Sequence, residues 1–332
     1  MASRTVGKAD ENDLLVSYVD LNPEPEDFLS AVFEGLSAEQ KFLPCKFFYD
    51  ERGSQLFDQI CDLEEYYPTR TEIGILEDRL GEIAELVGRG AHLVELGSGA
   101  SVKIRTLLNA LPDLAQYTAV DISRDFLLQS AETLAIDYPG LDVAAICADY
   151  TQTFEILSPV NRQSSRNVAF FPGSTIGNFT RDEVKIFLTR LHGILGSGSG
   201  LLIGVDLKKD SDVLHAAYND ARGVTAEFNL NLLARINREL GGDFDLGHFI
   251  HRAIYVPDEG RIEMHMVSDT DQSVTIEGRS FEFAAGEHIH TENSHKYSVE
   301  EFRELCGLAG YGAVAAWTDA DNLFSVHYFT AE

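Results

Sequence analysis

The sequence predicts an α/β protein: a doubly wound parallel sheet with a second, discontinuous α+β domain. Three observations carry that expectation. Short apolar runs alternate with helix-length segments from residue 92 to 207, the rhythm then changes to strands and turns, and near residue 296 the first rhythm returns. Apolar runs joined by helices imply parallel strands buried on both faces.

The elements follow in order. Residues 1–13 are polar and read as a flexible tail, and residues 26–41 look helical. The stretch "LPCKFFYDERGSQLFDQICDLEEYYPTRTE" (43–72) carries a dense aromatic set around a turn at Gly53. Ile73, Leu76, Leu80, Ile83, Ala84 and Val87 recur at helical spacing, which predicts one helix from Thr71 to Val87. Strands are expected at "HLVEL" (92–96), "YTAVD" (117–121), "DVAAICAD" (142–149), "NVAFF" (167–171) and "GLLIGVDL" (200–207), with helices over 101–111, 123–137 and 180–195. Residues 210–240 read as helical, and "HRAIYVP", "RIEMHMVS", "QSVTIEG" and "SFEFAAG" as antiparallel strands. A helix over 298–309 and strands at "AVAAWTD" (313–319) and "LFSVHYF" (323–329) close the chain. The domains expected are therefore 71–206 with 296–332, and 14–70 with 207–295.

Composition narrows the function. The 332 residues are enough for a sizeable core, and 26 Lys+Arg against 54 Asp+Glu give a net charge of −28. Such a surface repels phosphate backbones, so a nucleic-acid partner is disfavoured. Cys45, Cys61, Cys147 and Cys306 show no CxxC spacing, which fits thiols in a reducing cytoplasm. Neither a signal peptide nor an apolar run of the roughly 20 residues that span a bilayer is present, so no membrane partner is expected.

Chemistry concentrates at strand ends. "VELGSGAS" (94–101) closes one strand and opens a helix, where glycines admit a ligand and helix N–H groups are unpaired. It lacks the third glycine of dinucleotide binders and is not a GxxxxGK[ST] loop. Asp121 ends the next strand, where a carboxylate can accept from ribose hydroxyls. Asp149 and Tyr150 end the third, placed to hold an adenine amine. Either aspartate alone reads as a cap or turn former. Three such sites at successive strand ends point to a nucleoside-bearing cofactor.

The glycine turn, the two carboxylates and the closing strand pair resemble the sheet of class I methyltransferases that use S-adenosylmethionine (SAM). More closely, "KFFYDERGSQLFDQICDLEEYYPTRTE", "LVELGSGASVK", "GSTIGN" and "AAYNDARGVTAEFN" resemble the bacterial L-histidine Nα-methyltransferases of ergothioneine biosynthesis, from about Leu43 to the C-terminus. The resemblance implies a SAM-dependent N-methyltransferase that converts L-histidine to hercynine, a small-molecule enzyme expected to be a cytoplasmic monomer. It assigns SAM to Gly97, Lys103, Asp121, Asp149 and Tyr150, with Lys103 toward the methionine carboxylate. It sets Gly173 and Asn178 against the amino acid, Asn178 holding its amino and carboxylate groups, and gives the carboxylate also to Tyr218. Tyr66, Glu292 and Ser294 take the imidazole, Asn293 contributes main chain, and Tyr49 lies near the reacting amine. Tyr49 and Asn178 are thereby the candidate catalytic residues.

Rival readings remain distinguishable. "EHIHTENSH" (287–295) sets His288 and His290 on one strand face, with Glu292 and His295 able to complete a metal site. Transfer of a sulfonium methyl needs no metal, and none is expected. An enzyme of the same kind acting on tryptophan or another amine would leave Glu292 facing an indole without a full set of partners. A nicotinamide-dependent oxidoreductase is disfavoured by the missing third glycine. A non-catalytic SAM binder would have no use for Tyr66, Asn178, Tyr218 and Glu292 together.

Overall fold

In a computed structural model the described residues are 5–7 (main chain only), 14–21, 28–99, 102–111 and 113–332, Val102 by its main chain only. Apart from 5–7, the tail expected at 1–13 lies outside them. The strands run in chain order as β1 (Thr5–Gly7), β2 (Ser17–Asp20), β3 (His92–Leu96), β4 (Gln116–Asp121), β5 (Val143–Cys147), β6 (Asn167–Phe171) and β7 (Gly200–Asp206). They continue as β8 (Phe249–Val256), β9 (Arg261–Ser268), β10 (Gln272–Ile276), β11 (Arg279–Phe283), β12 (His288–His295), β13 (Tyr311–Thr318) and β14 (Phe324–Ala331). The chain forms two compact units, one from the described residues of Met1–Pro23, Arg70–Leu207 and Tyr297–Glu332, the other from those of Glu24–Thr69 and Lys208–Lys296.

In the first unit, the described residues form one sheet of order β1-β2-β5-β4-β3-β6-β7-β14-β13. Strands β2, β5, β4, β3, β6 and β7 pair in parallel, and β14 is antiparallel to β7 and β13. Helices Val102–Ala110, Arg124–Asp137 and Arg181–Leu195 supply crossovers. Both faces are buried: Leu93, Phe170 and Leu202 belong to one apolar cluster, and their neighbours Val94, Phe171 and Ile203 to another. Burial on both sides explains why these strands read as continuous apolar runs.

Several expectations need correction. Residues 14–70 do not all belong to the second unit, because Ser17–Asp20 pair in parallel with Ala144–Cys147. The helix expected from Thr71 to Val87 is two helices, Tyr67–Asp78 and Leu80–Val87, parted at Arg79 with φ −111° and ψ 12°. Gly81, a poor helix former, lies two residues beyond that break. Gly53 sits in the first turn of helix Glu51–Cys61, not in a turn, and its N–H donates to the capping Asp50 carboxylate at 2.7 Å. Glycine is needed there because a Cβ would lie 1.7 Å from the Phe48 carbonyl oxygen.

The second unit holds the antiparallel sheet β12-β9-β8 and the hairpin β10-β11. The helical stretch expected over 210–240 divides into Ser211–Tyr218 and Val224–Leu240. The Asp220 carboxylate accepts from the Val224 and Thr225 N–H groups at 2.9 and 2.8 Å, and Gly223 is left-handed at φ 75°. That break leaves Tyr218 at a helix C-terminus. A segment beside β12 extends its edge, with Leu43 N–H donating to His290 O and His290 N–H to Lys41 O.

Candidate active site

The first unit gathers the expected cofactor residues at the C-terminal ends of three adjacent strands. Gly97 and Gly99, just past β3, have φ of 71° and 40°, values that glycine adopts without a Cβ clash. A Cβ on Gly97 would approach the Tyr150 ring to 3.6 Å, so the turn keeps its main chain open where that ring packs. The Tyr150 ring is fixed against Phe171, with centroids 5.6 Å apart. Asp121 accepts from Ser123 N–H at 2.8 Å and from the Gly99 main chain, while burial raises its pKa. Asp149 accepts from the Thr151 N–H and hydroxyl at 2.9 and 2.6 Å. Ser98 Oγ is buried without a hydrogen-bond partner among the described residues. The orphaned Ser98 hydroxyl, the two left-handed glycines beside it and two strand-end carboxylates fit the polar groups of SAM.

Lys103 leads into a cluster that the sequence reading missed. Its ammonium lies 2.6 Å from Glu72 Oε2, a carboxylate with no exposed surface. The Gly173 N–H reaches both Glu72 oxygens, at 3.1 and 2.9 Å. Gly204 makes room, since a Cβ there would sit 1.9 Å from Glu72 Oε1. Glu72 thus ties helix Val102–Ala110, through Lys103, to the turn after β6. In that turn Gly173 has φ 80° and Ser174 φ 55°, and Ser174 Oγ accepts from Asp206 N–H at 2.9 Å. Asn178 ends the short 3-10 helix Thr175–Asn178, and its side-chain amide makes no hydrogen bond among the described residues. Nearby Glu95, on β3, is raised to a pKa of about 8 by burial, against the Tyr117 hydroxyl at 2.6 Å.

The second unit assembles the other half of the expected set. Tyr49, Phe57, Tyr66 and Tyr218 form a chain of edge-on rings with successive centroids 5.7, 6.3 and 6.3 Å apart. Burial pushes the Tyr66 phenol well up, so it stays neutral. Tyr49 is exposed. Tyr218 Oη donates to Ser294 Oγ at 2.8 Å, and Lys296, also missed, donates to both oxygens at 3.0 and 2.7 Å. Glu292 is raised to a pKa of about 7 by burial, which the Lys296 charge partly opposes. Its carboxylate receives no hydrogen bond among the described residues.

A bulge in β12 dissolves the metal cluster imagined over 287–295. His290 pairs with His265 and Glu292 with Met264, so Thr291 is the extra residue. Paired residues share a sheet face and adjacent ones do not. Glu292 and Ser294 therefore lie on the face of buried Met264 and Ile262, while His288, His290 and His295 lie on the other with Val267, His265 and Arg261. A different trio, Glu263, His265 and His290, brings ligand-type atoms within 4.8 Å of one another. Both Glu263 oxygens are already engaged, by Arg261 at 2.6 Å and His265 at 3.1 Å.

The strand order, with its antiparallel β14 between β7 and β13 and its glycine turn after β3, defines a class I SAM-dependent methyltransferase. The chain belongs to the family of histidine-specific, SAM-dependent methyltransferases, whose model matches residues 28–331. It is 42% identical to the histidine N-alpha-methyltransferase of Mycolicibacterium smegmatis, covering 94% of this chain and 97% of that protein. The Mycobacterium tuberculosis enzyme of the same name is 42% identical over 89% of this chain and 92% of its own. Ergothioneine biosynthesis protein 1 of Neurospora crassa is 33% identical over 86% of this chain, which spans 32% of that longer protein. No helix among the described residues is long and apolar enough to cross a membrane.

Proposed function

We propose that the chain trimethylates the α-amino group of L-histidine to hercynine, the methylation that ergothioneine biosynthesis requires. The observation that carries this reading is the Glu292–Ser294 pair. A half-buried carboxylate with its hydrogen bonds still to be made stands two residues from a hydroxyl held by Tyr218 and Lys296. A neutral imidazole offers one N–H and one acceptor nitrogen, which suits a carboxylate and a hydroxyl.

When bound, SAM supplies a methyl group already activated on a sulfonium. The residues are left with orientation, desolvation and proton removal. In the first unit, Gly97, Lys103, Asp121, Asp149 and Tyr150 are assigned to the cofactor, and Gly173 and Asn178 to the amino acid. The Asn178 amide both donates and accepts, so it can serve the carboxylate and orient the amine lone pair. In the second unit, Tyr218 is assigned to the carboxylate, Tyr66, Glu292 and Ser294 to the ring, and Asn293 through its main chain. Each methylation leaves more cationic character on nitrogen, which the Tyr49–Phe57–Tyr66 rings favour. The ammonium proton leaves through Tyr49, Asn178 or water, and Tyr49 is exposed. The product is the trimethylammonium derivative of the amino acid, and we infer that the chain works as a cytoplasmic monomer.

The test offers SAM with each of the twenty amino acids separately and reads products by mass. Histidine alone should gain three methyl groups. Equal or better turnover of tryptophan would overturn the substrate assignment.

A further inference from the structure

We propose that Glu72 is a positioning residue for methyl transfer: one buried carboxylate holds the Lys103 ammonium and the Gly173 main chain at a single separation, so that methyl donor and amino acid meet in register. The inference rests on the assignment of Lys103 to the SAM carboxylate and of Gly173 to the amino acid, and deepens it.

The direction of each bond follows from the groups themselves. An ammonium and a main-chain N–H can only donate, and a carboxylate can only accept. Glu72 Oε2 takes Lys103 Nζ at 2.6 Å and the Gly173 N–H at 2.9 Å, and Oε1 takes the same N–H at 3.1 Å. The two donors are also neighbours, since a Cβ on Gly173 would lie 3.3 Å from Lys103 Nζ. Lys103, Glu72 and Gly173 thus form one cluster within the first unit.

That cluster is rigid at its centre and open on one side. Glu72 has no exposed surface, stands within helix Tyr67–Asp78, and has Gly204 of β7 against its Oε1. Lysine has a flexible four-carbon stem, and a fixed anion confines it to few rotamers. The Lys103 side chain still keeps 18% of its surface exposed. Its ammonium has three protons, so the bond to Glu72 leaves donors for a second anion. The Gly173 N–H is spent on Glu72, and the turn is pinned again one residue on, where Ser174 Oγ accepts from Asp206 N–H.

A lysine that served the cofactor by charge alone would be weakened by a carboxylate beside it. A lysine that serves by position is improved by one, and here the same carboxylate reaches the turn assigned to the other substrate. Lys103 opens the helix after β3, and Gly173 lies two residues beyond β6. Glu72 is the common reference of the two. Displacing either by about 1 Å can cost roughly a hundredfold in rate although both ligands still bind.

The experiment measures single turnover of the first methyl transfer at saturating SAM and histidine, in full chains of parent and Glu72→Gln. Glutamine keeps the shape but has one acceptor oxygen, and its NH2 group must face one of the two donors. The rate should fall at least about tenfold and stay low however much of either ligand is added. A merely structural role would lower thermal stability and leave the rate per folded molecule unchanged, and that result would overturn the proposal. Should Glu72→Gln fail to fold, Glu72→Gln/Lys103→Met removes both charges of the pair and serves as the second variant. It too should be slow at saturation, and a parental rate would refute the proposal. Two probes test the underlying assignment separately. S-adenosylhomocysteine carries the amino-acid end of the cofactor and 5′-methylthioadenosine lacks it, so the double variant should lose affinity for the first alone. Without that selective loss, Lys103 does not meet the cofactor carboxylate, whatever the rate.

Discussion

Glu72 and Glu292 are carboxylates in the two compact units, Glu72 fully buried with its hydrogen bonds made and Glu292 half-buried with none among the described residues. Glu72 receives Lys103 and the Gly173 N–H, and Gly204 yields the space it fills. Glu292 has the field of Lys296 but no hydrogen bond among the described residues, and its pKa stands near 7 as a result of burial. Removing a partner from a completed buried pair leaves an uncompensated charge. Removing an incompletely bonded carboxylate takes away a penalty together with a binding group. The first arrangement fixes the helix and the turn that present Lys103 and Gly173; the second leaves a carboxylate with its bonds still to be made.

Substitutions should separate the two. Lys103→Met strands the Glu72 carboxylate, and urea unfolding without SAM should show a loss of about 3–5 kcal/mol. A neutral effect would break the comparison at its root. Glu292→Ala should cost about 1.5–3 kcal/mol of histidine affinity, as a charge-assisted bond is lost. Its stability should move the other way. An acid whose folded pKa is raised binds more protons folded than unfolded, so stability falls as pH rises from the ordinary carboxylate range toward about 7. Glu292→Ala removes that fall, and its unfolding midpoint at neutral pH should equal or exceed the parent's. In competition with equal tryptophan and histidine, the variant should also shift product toward tryptophan. In the parent, histidine binding should strengthen as pH climbs through about 7 and Glu292 ionises.

Smaller effects sharpen the picture. Asn178→Ala should weaken histidine by about 1–3 kcal/mol with little change in SAM binding, measured by calorimetry for each ligand. Asp121→Ala should weaken SAM by about 1–2 kcal/mol while the fold persists. Chelator treatment should change nothing, because transfer of a sulfonium methyl needs no metal. Activity lost to a chelator and restored by one divalent metal would contradict that reading.

Much of this was legible before any coordinates. Strands β3 and β6 match their expected spans because parallel strands buried on both faces are short unbroken apolar runs. Asp121 and Asp149 are marked by their places at strand ends, and Gly173 by the resemblance. Glu72 and Lys296 were not, since a Glu in a helix and a Lys after a strand read by default as solvated. Their partners lie far off in sequence, Gly173 being 101 positions from Glu72 and Tyr218 78 from Lys296. One usable signal existed: Glu292, Ser294 and Lys296 alternate, so a face bearing the first two also bears the third. The helix breaks at Arg79 and at Asn219–Gly223 were hidden for another reason, because apolar spacing continues across them; at the second, the Asp220 carboxylate and left-handed Gly223 set the boundary.

Thr291 gives the second unit a property that no single side chain carries. The extra residue works as a phase change in the strand, placing the carboxylate and hydroxyl of "ENS" opposite the imidazoles of "HIH". A specificity arranged in this way is sensitive to length more than to identity. Point substitutions along β12 alter one contact at a time, whereas insertion or loss of one residue near 291 exchanges the chemistry of a whole face.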